Sequence, residues 1–204
     1  MTSTPASDFL ALVAGRRGHF LLESGYHGSL WLDLDALFAD PRRIQPFVAQ
    51  LADAVRQHDV AMICGPLLGG AFLAQLVAHV LSVDFCFTER VMPAGDGLYR
   101  AHYRLPKAFR ERVQGRRIAM VDDVMSAGSA LRATRAELTA YGALPVVVGS
   151  LLQFGTTGAD FFGREGVAVE AVAREDYALW LPDDCPQCAS GVPLERLDSG
   201  DVTR

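Results

Sequence analysis

Short, continuous apolar runs alternate along this chain with longer stretches in which apolar residues recur every three or four positions. The runs lie at residues 60–64, 83–87, 117–121, 144–152 and 167–172. Segments 71–81 and 129–141 carry the helical period, and Gly142 stands where a helix C-terminus wants a left-handed residue. Upstream, 41–57 predicts a helix: Pro41 is tolerated in a first turn, and Ile44, Phe47, Val48, Leu51 and Val55 fall on one face. Strands whose apolar residues run on at consecutive positions, rather than alternating with polar ones, are buried on both sides, so the pattern predicts an α/β fold with a parallel sheet covered by helices on each face.

Other segments are less regular. Ser7 or Asp8 can cap a short helix reaching Ala14, and 20–22 with 30–33 flank a turn-like 24–29, which predicts a small hairpin. Residues 89–112 form a long mixed segment punctuated by Pro93, Gly95, Gly97 and Pro106. Loops of that length in a compact domain are usually functional. After Trp180 the chain reads as an irregular extension holding Cys185, Pro186 and Cys188.

Composition narrows the function. Half of the 204 residues are hydrophobic and 21% are charged, which excludes a disordered chain or a coiled coil. The longest apolar stretches, 71–81 and 143–152, fall short of the roughly 20 residues of a membrane-spanning helix. The first eight residues lack the basic and apolar regions of a secretory signal, so a cytoplasmic protein without membrane contact is expected. Four cysteines are too few for a disulfide scaffold. The net charge of −5 argues against a nucleic-acid partner while leaving room for a local anion pocket. Of 19 basic residues 18 are Arg, and the flanks of Lys107 fit no Walker loop, Schiff-base lysine or Ser-x-x-Lys nucleophile.

The chemistry concentrates in IAMVDDVMSAGSALRAT, residues 118–134. An apolar strand delivers Asp122 and Asp123 to its C-terminal end, the edge at which open α/β sheets bind ligands. Ser126, Ala127, Gly128, Ser129 and Ala130 then turn into a helix whose N-terminal N–H groups and dipole suit an anion. Acceptors on one side and anion donors on the other suit a sugar phosphate, with the carboxylates on the ribose hydroxyls and the nest on the 5′-phosphate.

This segment resembles the phosphoribosyl pyrophosphate (PRPP) signature of the type I phosphoribosyltransferases, and its SAGSA form is most similar to the orotate branch. GHFLLESGYHGSLWLDL, residues 18–34, is similar to that branch's N-terminal hood at Phe20, Leu22, Ser24, Gly25 and Asp33. ICGPLLGGAFLAQLVA, residues 63–78, resembles the loop and helix that hold the pyrophosphate. The resemblance implies a hood over about residues 8–40, a PRPP-binding core over 41–175 with a mobile loop at 89–105, and an extension from 176 to 204. It implies transfer of ribose 5-phosphate to a nucleobase with loss of pyrophosphate, Mg²⁺ bound through PRPP, and a homodimer. Asp122, Asp123 and Arg90 become the candidate catalytic residues. Ser126–Ala130 and the loop Gly65, Pro66, Leu67, Leu68, Gly69, Gly70 would hold PRPP, and Ser24, Gly25, His27 and Gln153 the base.

The chain also departs from the branch. Its 89–104 segment has no Lys, so Arg90, Arg100, His102 and Arg104 either supply the charge over the pyrophosphate or decorate a two-stranded flap. Glu23 stands where many relatives carry a Lys, and Leu152 and Gln153 stand where an Arg would grip the orotate carboxylate. Orotate is the expected base; another base, or a PRPP-binding regulator without catalysis, is the alternative. Cys185 and Cys188 look like one knuckle of a zinc site, but no second Cys-x-x-Cys exists and the five histidines show no metal-ligand spacing. The other ligands would have to come from a dimer partner, a nearby His or Asp184. Two reduced thiols in a turn is the competing reading.

Overall fold

The computed structural model describes residues 5–34, 36–91, 98–99 and 102–196. A short helix α1 (Pro5–Leu10) precedes the hairpin β1 (Ala14–Leu21) and β2 (His27–Asp33). The expected helix reaching Ala14 stops at Leu10, because Gly15 and Arg16 are already paired with Leu32 and Trp31 of β2. Helix α2 (Pro41–Arg56) begins at Asp40, whose carboxylate accepts the Arg42 N–H in the capping geometry its sequence suggests.

The core then runs β3 (Met62–Pro66), α3 (Gly69–Leu81), β4 (Asp84–Val91), β5 (His102–Arg104), α4 (Lys107–Arg110), β6 (Arg117–Met125), α5 (Ser129–Ala140), β7 (Leu144–Phe154), α6 (Thr157–Arg164) and β8 (Ala168–Glu175). Six strands form one sheet in the order β5-β4-β3-β6-β7-β8, all parallel except the edge strand β5. The alternation of side chains within each apolar strand feeds two cores. Ile63, Ala119 and Val121 face α2 and α3 with Leu51, Val55, Leu73 and Val77. Met62, Cys64, Ile118 and Met120 face α5 and α6 with Leu131, Leu138 and Phe162. That is why these strands read as continuous hydrophobic runs.

A second, four-stranded sheet sits at the hood, in the order β10-β1-β2-β9, with β9 at Leu179–Trp180 and β10 at Glu195–Arg196. The tail therefore folds back as two strands of the hood, joined by a 3₁₀ turn (Pro182–Asp184) and α7 (Pro186–Ala189). Segment 89–112 is also partly ordered: Glu89, Arg90 and Val91 pair antiparallel with Arg104, Tyr103 and His102. Residues 92–97, 100 and 101 of the expected mobile loop, Arg100 among them, lie outside the described residues. Among the described residues no helix is long and apolar enough to cross a membrane.

Leu51 is fully buried against the central strands. Leu51→Ala is expected to cost about 2–5 kcal/mol, by lost burial plus a cavity, read as a lower denaturation midpoint with an unchanged slope.

Candidate functional site

β3 and β6 are neighbours, yet the chain leaves β3 toward β4 on one side, while β6 continues to β7 and β8 on the other. The loops beyond their C-terminal ends diverge there and leave a crevice, the place where doubly wound sheets bind ligands. The loop Gly65–Gly70 leaves β3 on one lip. Asp122 and Asp123 stand on the other. They lie within β6 rather than in a loop after residue 121, because β7 keeps pairing beside them: Asp122 opposes Ser150 and Val124 opposes Leu152.

The two lips touch. A Cβ on Gly69 would overlap the Asp123 carboxylate, so only glycine lets the loop backbone come this close. The Leu67–Leu68 peptide is cis, and Leu67 donates its N–H to Thr88 O at 2.8 Å. Asp123 is buried; its Oδ1 accepts the Val124 N–H at 2.7 Å, and its own N–H donates to Asp122 Oδ1 at 3.1 Å. Asp122 is half-buried and lines the cleft. Burial, then the charges of Asp123 and Glu23, push its carboxyl well above the usual range.

Beyond β6, Gly128 takes φ 73° as the cap of α5, and no side chain caps that helix. Ser126, Gly128, Ser129 and Ala130 line a cleft of about 190 Å³ with Asp122. Ala127 is buried beneath it. The hood forms the opposite wall through Leu22, Glu23, Ser24 and Trp31, and Phe154 and Tyr177 close one end with ring centroids 4.8 Å apart. Tyr177 is anchored to the hood: its hydroxyl donates to Leu30 O at 2.9 Å and accepts the Leu30 N–H at 3.3 Å. Gly28 makes this possible, since any Cβ there would strike the Tyr177 hydroxyl.

Charge at the cleft mouth is organised around Glu23. Arg90 Nε lies 3.1 Å from its carboxylate, and the Tyr103 hydroxyl donates to it at 3.3 Å. Burial, with Glu23 and Asp122 nearby, raises the Tyr103 pKa, so this hydroxyl stays protonated. Tyr99 donates its N–H to Ser24 O at 2.8 Å and stacks over Arg132, whose guanidinium lies 4.1 Å from that ring and 4.0 Å from Phe161. The far end of the loop segment is thereby tied to both hood and core.

Three expected base-binding residues lie elsewhere. Gly25 serves the hairpin turn, with φ 83° and its N–H donated to Leu22 O at 2.9 Å. Gln153 ends β7 outside the cleft, where Nε2 donates to Gly155 O at 2.9 Å beside Arg174. His27 is buried under the returned tail, with Nδ1 3.1 Å from His19 Nε2 and 3.3 Å from Cys188 Sγ. The knuckle Cys185/Cys188 thus has two histidine neighbours in the same chain, which the linear spacing did not indicate. Tyr177 and Trp31 also line the cleft, and no sequence motif marks Tyr177.

The raised Asp122 pKa has a consequence for stability. At low pH the carboxyl is protonated in both folded and unfolded chains. As pH rises past the ordinary carboxylate range the unfolded chain releases the proton while the folded one still holds it, so stability falls. Asp122→Asn is therefore expected to be more stable than the parent at pH 7–8, with the difference vanishing toward pH 3–4 in denaturant titrations.

A scan against protein-family models finds no match. The orotate phosphoribosyltransferase of Thermotoga maritima is 32% identical over 185 residues, 89% of this chain and 90% of its own length. That of Caldanaerobacter subterraneus is 28% identical over 191 residues, 94% of each. Among solved structures, orotate phosphoribosyltransferase from Aeropyrum pernix superposes with a TM-score of 0.64 at 23% identity, over 84% of this chain and 94% of that one. Adenine phosphoribosyltransferase from Thermoanaerobacter pseudethanolicus does so with 0.65 at 15% identity, over 83% and 99%. The structural likenesses show the type I phosphoribosyltransferase fold. The likeness in sequence, carried across nine-tenths of both chains, goes further: this chain belongs to the orotate phosphoribosyltransferase family.

Proposed function

We propose that the chain transfers the ribose 5-phosphate of PRPP to a nucleobase nitrogen and releases pyrophosphate, with orotate as the base and orotidine 5′-monophosphate as the product. The observation that carries this reading is the acid pair at the end of β6, set between the Gly65–Gly70 loop and the uncapped start of α5. In the reaction the C1′–oxygen bond to pyrophosphate breaks and a C1′–nitrogen bond forms on the opposite face. Positive charge develops on the ribose ring meanwhile. Asp122 and Asp123 hold the ribose hydroxyls and stabilise that charge in a partly closed site, where electrostatics are strong. Asp122, whose carboxyl is kept above the usual carboxylate range by burial and by Asp123, is suited to exchange a proton during the reaction. Ser126–Ala130 take the 5′-phosphate, the Gly65–Gly70 amides the pyrophosphate, and Arg90 its outgoing charge once it leaves Glu23.

Glu23 and Asp122 bring carboxylate oxygens to the cleft, chemistry that fits a hard divalent cation arriving with PRPP, which Asp122 and Asp123 would hold through the ribose. When bound, Mg²⁺ would supply positive charge against the leaving group. A second reading has its own support. Among the described residues that line the cleft there is no Arg, Lys or His, while Glu23 and Asp122 are acids, a setting that favours a neutral base over an anionic one.

Pyrophosphate release from PRPP and Mg²⁺ should be measured separately with orotate, uracil, adenine, guanine, hypoxanthine and xanthine. Release with orotate alone is expected, falling by about 100-fold or more in an Asp122→Asn/Asp123→Asn double variant. Release with a neutral base alone supports the second reading. Silence across the panel with PRPP binding intact overturns the enzyme in favour of a regulator. We also propose a homodimer, supported by the exposed Leu67, Leu68 and Phe72 at the start of α3. Sedimentation equilibrium is expected to give twice the 22.1 kDa chain mass; a monomer at micromolar concentration would refute it.

A further inference from the structure

At the hood, four side chains that do not line the cleft converge from distant parts of the sequence. His19 comes from β1, His27 from β2, and Cys185 and Cys188 from the returning tail; their ligand atoms all lie within 4.8 Å of one another. His19 Nε2 is 3.1 Å from His27 Nδ1, 3.3 Å from Cys185 Sγ and 3.7 Å from Cys188 Sγ, and Cys188 Sγ is 3.3 Å from His27 Nδ1. A tetrahedral zinc with bonds of about 2.05 Å to nitrogen and 2.3 Å to sulfur has nitrogen–nitrogen edges of about 3.3 Å and nitrogen–sulfur edges of about 3.6 Å. Those four edges agree with that tetrahedron to within a few tenths of an ångström.

The surroundings are arranged as a metal site requires. His19 Nδ1–H donates to Val192 O at 2.9 Å, which fixes the tautomer and turns the Nε2 lone pair into the cluster. All four cysteines are free thiols. Three of the four ligand residues are buried, although this small sheet has little apolar core of its own to bury them in.

We propose that His19, His27, Cys185 and Cys188 bind one zinc ion as a closed structural site that fastens the C-terminal tail to the hood. Each thiol loses its proton on binding, both imidazoles enter neutral, and the complex carries no net charge. Two thiolates and two imidazoles in a tetrahedron select zinc among common divalent metals, and four protein ligands leave no position for substrate. The site explains how a tail with few apolar residues stays folded back. β10 pairs with β1 at Phe20 and Leu21, and β9 pairs with β2 at His27 itself. Leu22, Glu23 and Ser24 follow β1 directly, and Tyr177 precedes β9, so the metal braces the strands from which the cleft wall continues.

The test uses the full chain purified without a histidine tag or chelator. Metal analysis is expected to find one zinc per chain. After exchange, Co²⁺ should give the visible bands of a tetrahedral site with thiolate charge transfer, and binding should release two protons. Cys188→Ser is expected to weaken Co²⁺ binding by more than the roughly 100-fold that loss of an outer hydrogen-bond partner costs. Removing the metal should lower Tm and raise KM for the base with little change in KM for PRPP. That last readout rests on the proposed function; stoichiometry, spectrum and proton release do not. A folded chain with no bound metal and no tetrahedral cobalt spectrum overturns the site, as does metal content unchanged in both Cys188→Ser and His19→Ala. Should either variant fail to fold, the parent's cobalt spectrum and proton count decide.

Discussion

Two carboxylates held side by side, partly out of water, are an unfavourable arrangement, and much of the site is organised around keeping it. Asp122 and Asp123 cannot relax away from each other, because β7 pins the strand on one side and the Gly69 backbone presses on Asp123 from the other. Their mutual repulsion and burial appear as the raised pKa of Asp122. A ribose with its hydroxyls and an accompanying cation would relieve both. Such a site gives up some stability in the free protein to gain affinity and orientation in the loaded one.

The geometry that makes this possible is a property of the sheet order. Only where neighbouring strands send their chains to opposite sides does a crevice open at the carboxyl edge. β3 and β6 are that pair: the loop after β3 supplies the glycine-rich lip and the end of β6 itself the acid-rich lip. The α5 N-terminus points its dipole into the same space, so donors for anions and acceptors for hydroxyls come from two loops of one rigid core.

The hood has a different physical basis. Its sheet is small, and its strands carry arginines and histidines where a self-sufficient sheet would carry aliphatic residues. It is held by attachments: Tyr177 to the Leu30 backbone, Tyr99 to Ser24, Glu23 to Arg90 and Tyr103, and the His/Cys cluster to the tail. These join hood, loop segment and tail, so the wall facing the base depends on elements far apart in sequence.

The apolar strands, the helix faces and the segment 118–134 were legible in the chain alone, because each depends on neighbours within about a dozen residues. Continuous runs at 60–64 and 117–121 predict two-sided burial wherever the strands pair, and an acid pair after such a strand predicts an acidic sheet edge. Helix α6 was not legible, since Gly158 and Gly163 weaken its helical signal and burial of Phe162 supplies what propensity lacks. The His/Cys cluster was not legible either. His19 and His27 face each other only through the β1–β2 register, and Cys185 and Cys188 reach them only because the tail crosses back over the hood. Gln153 and His27 lie outside the cleft for the same reason: which face a side chain meets at the end of a strand is set by what packs there, and only the tertiary structure decides that.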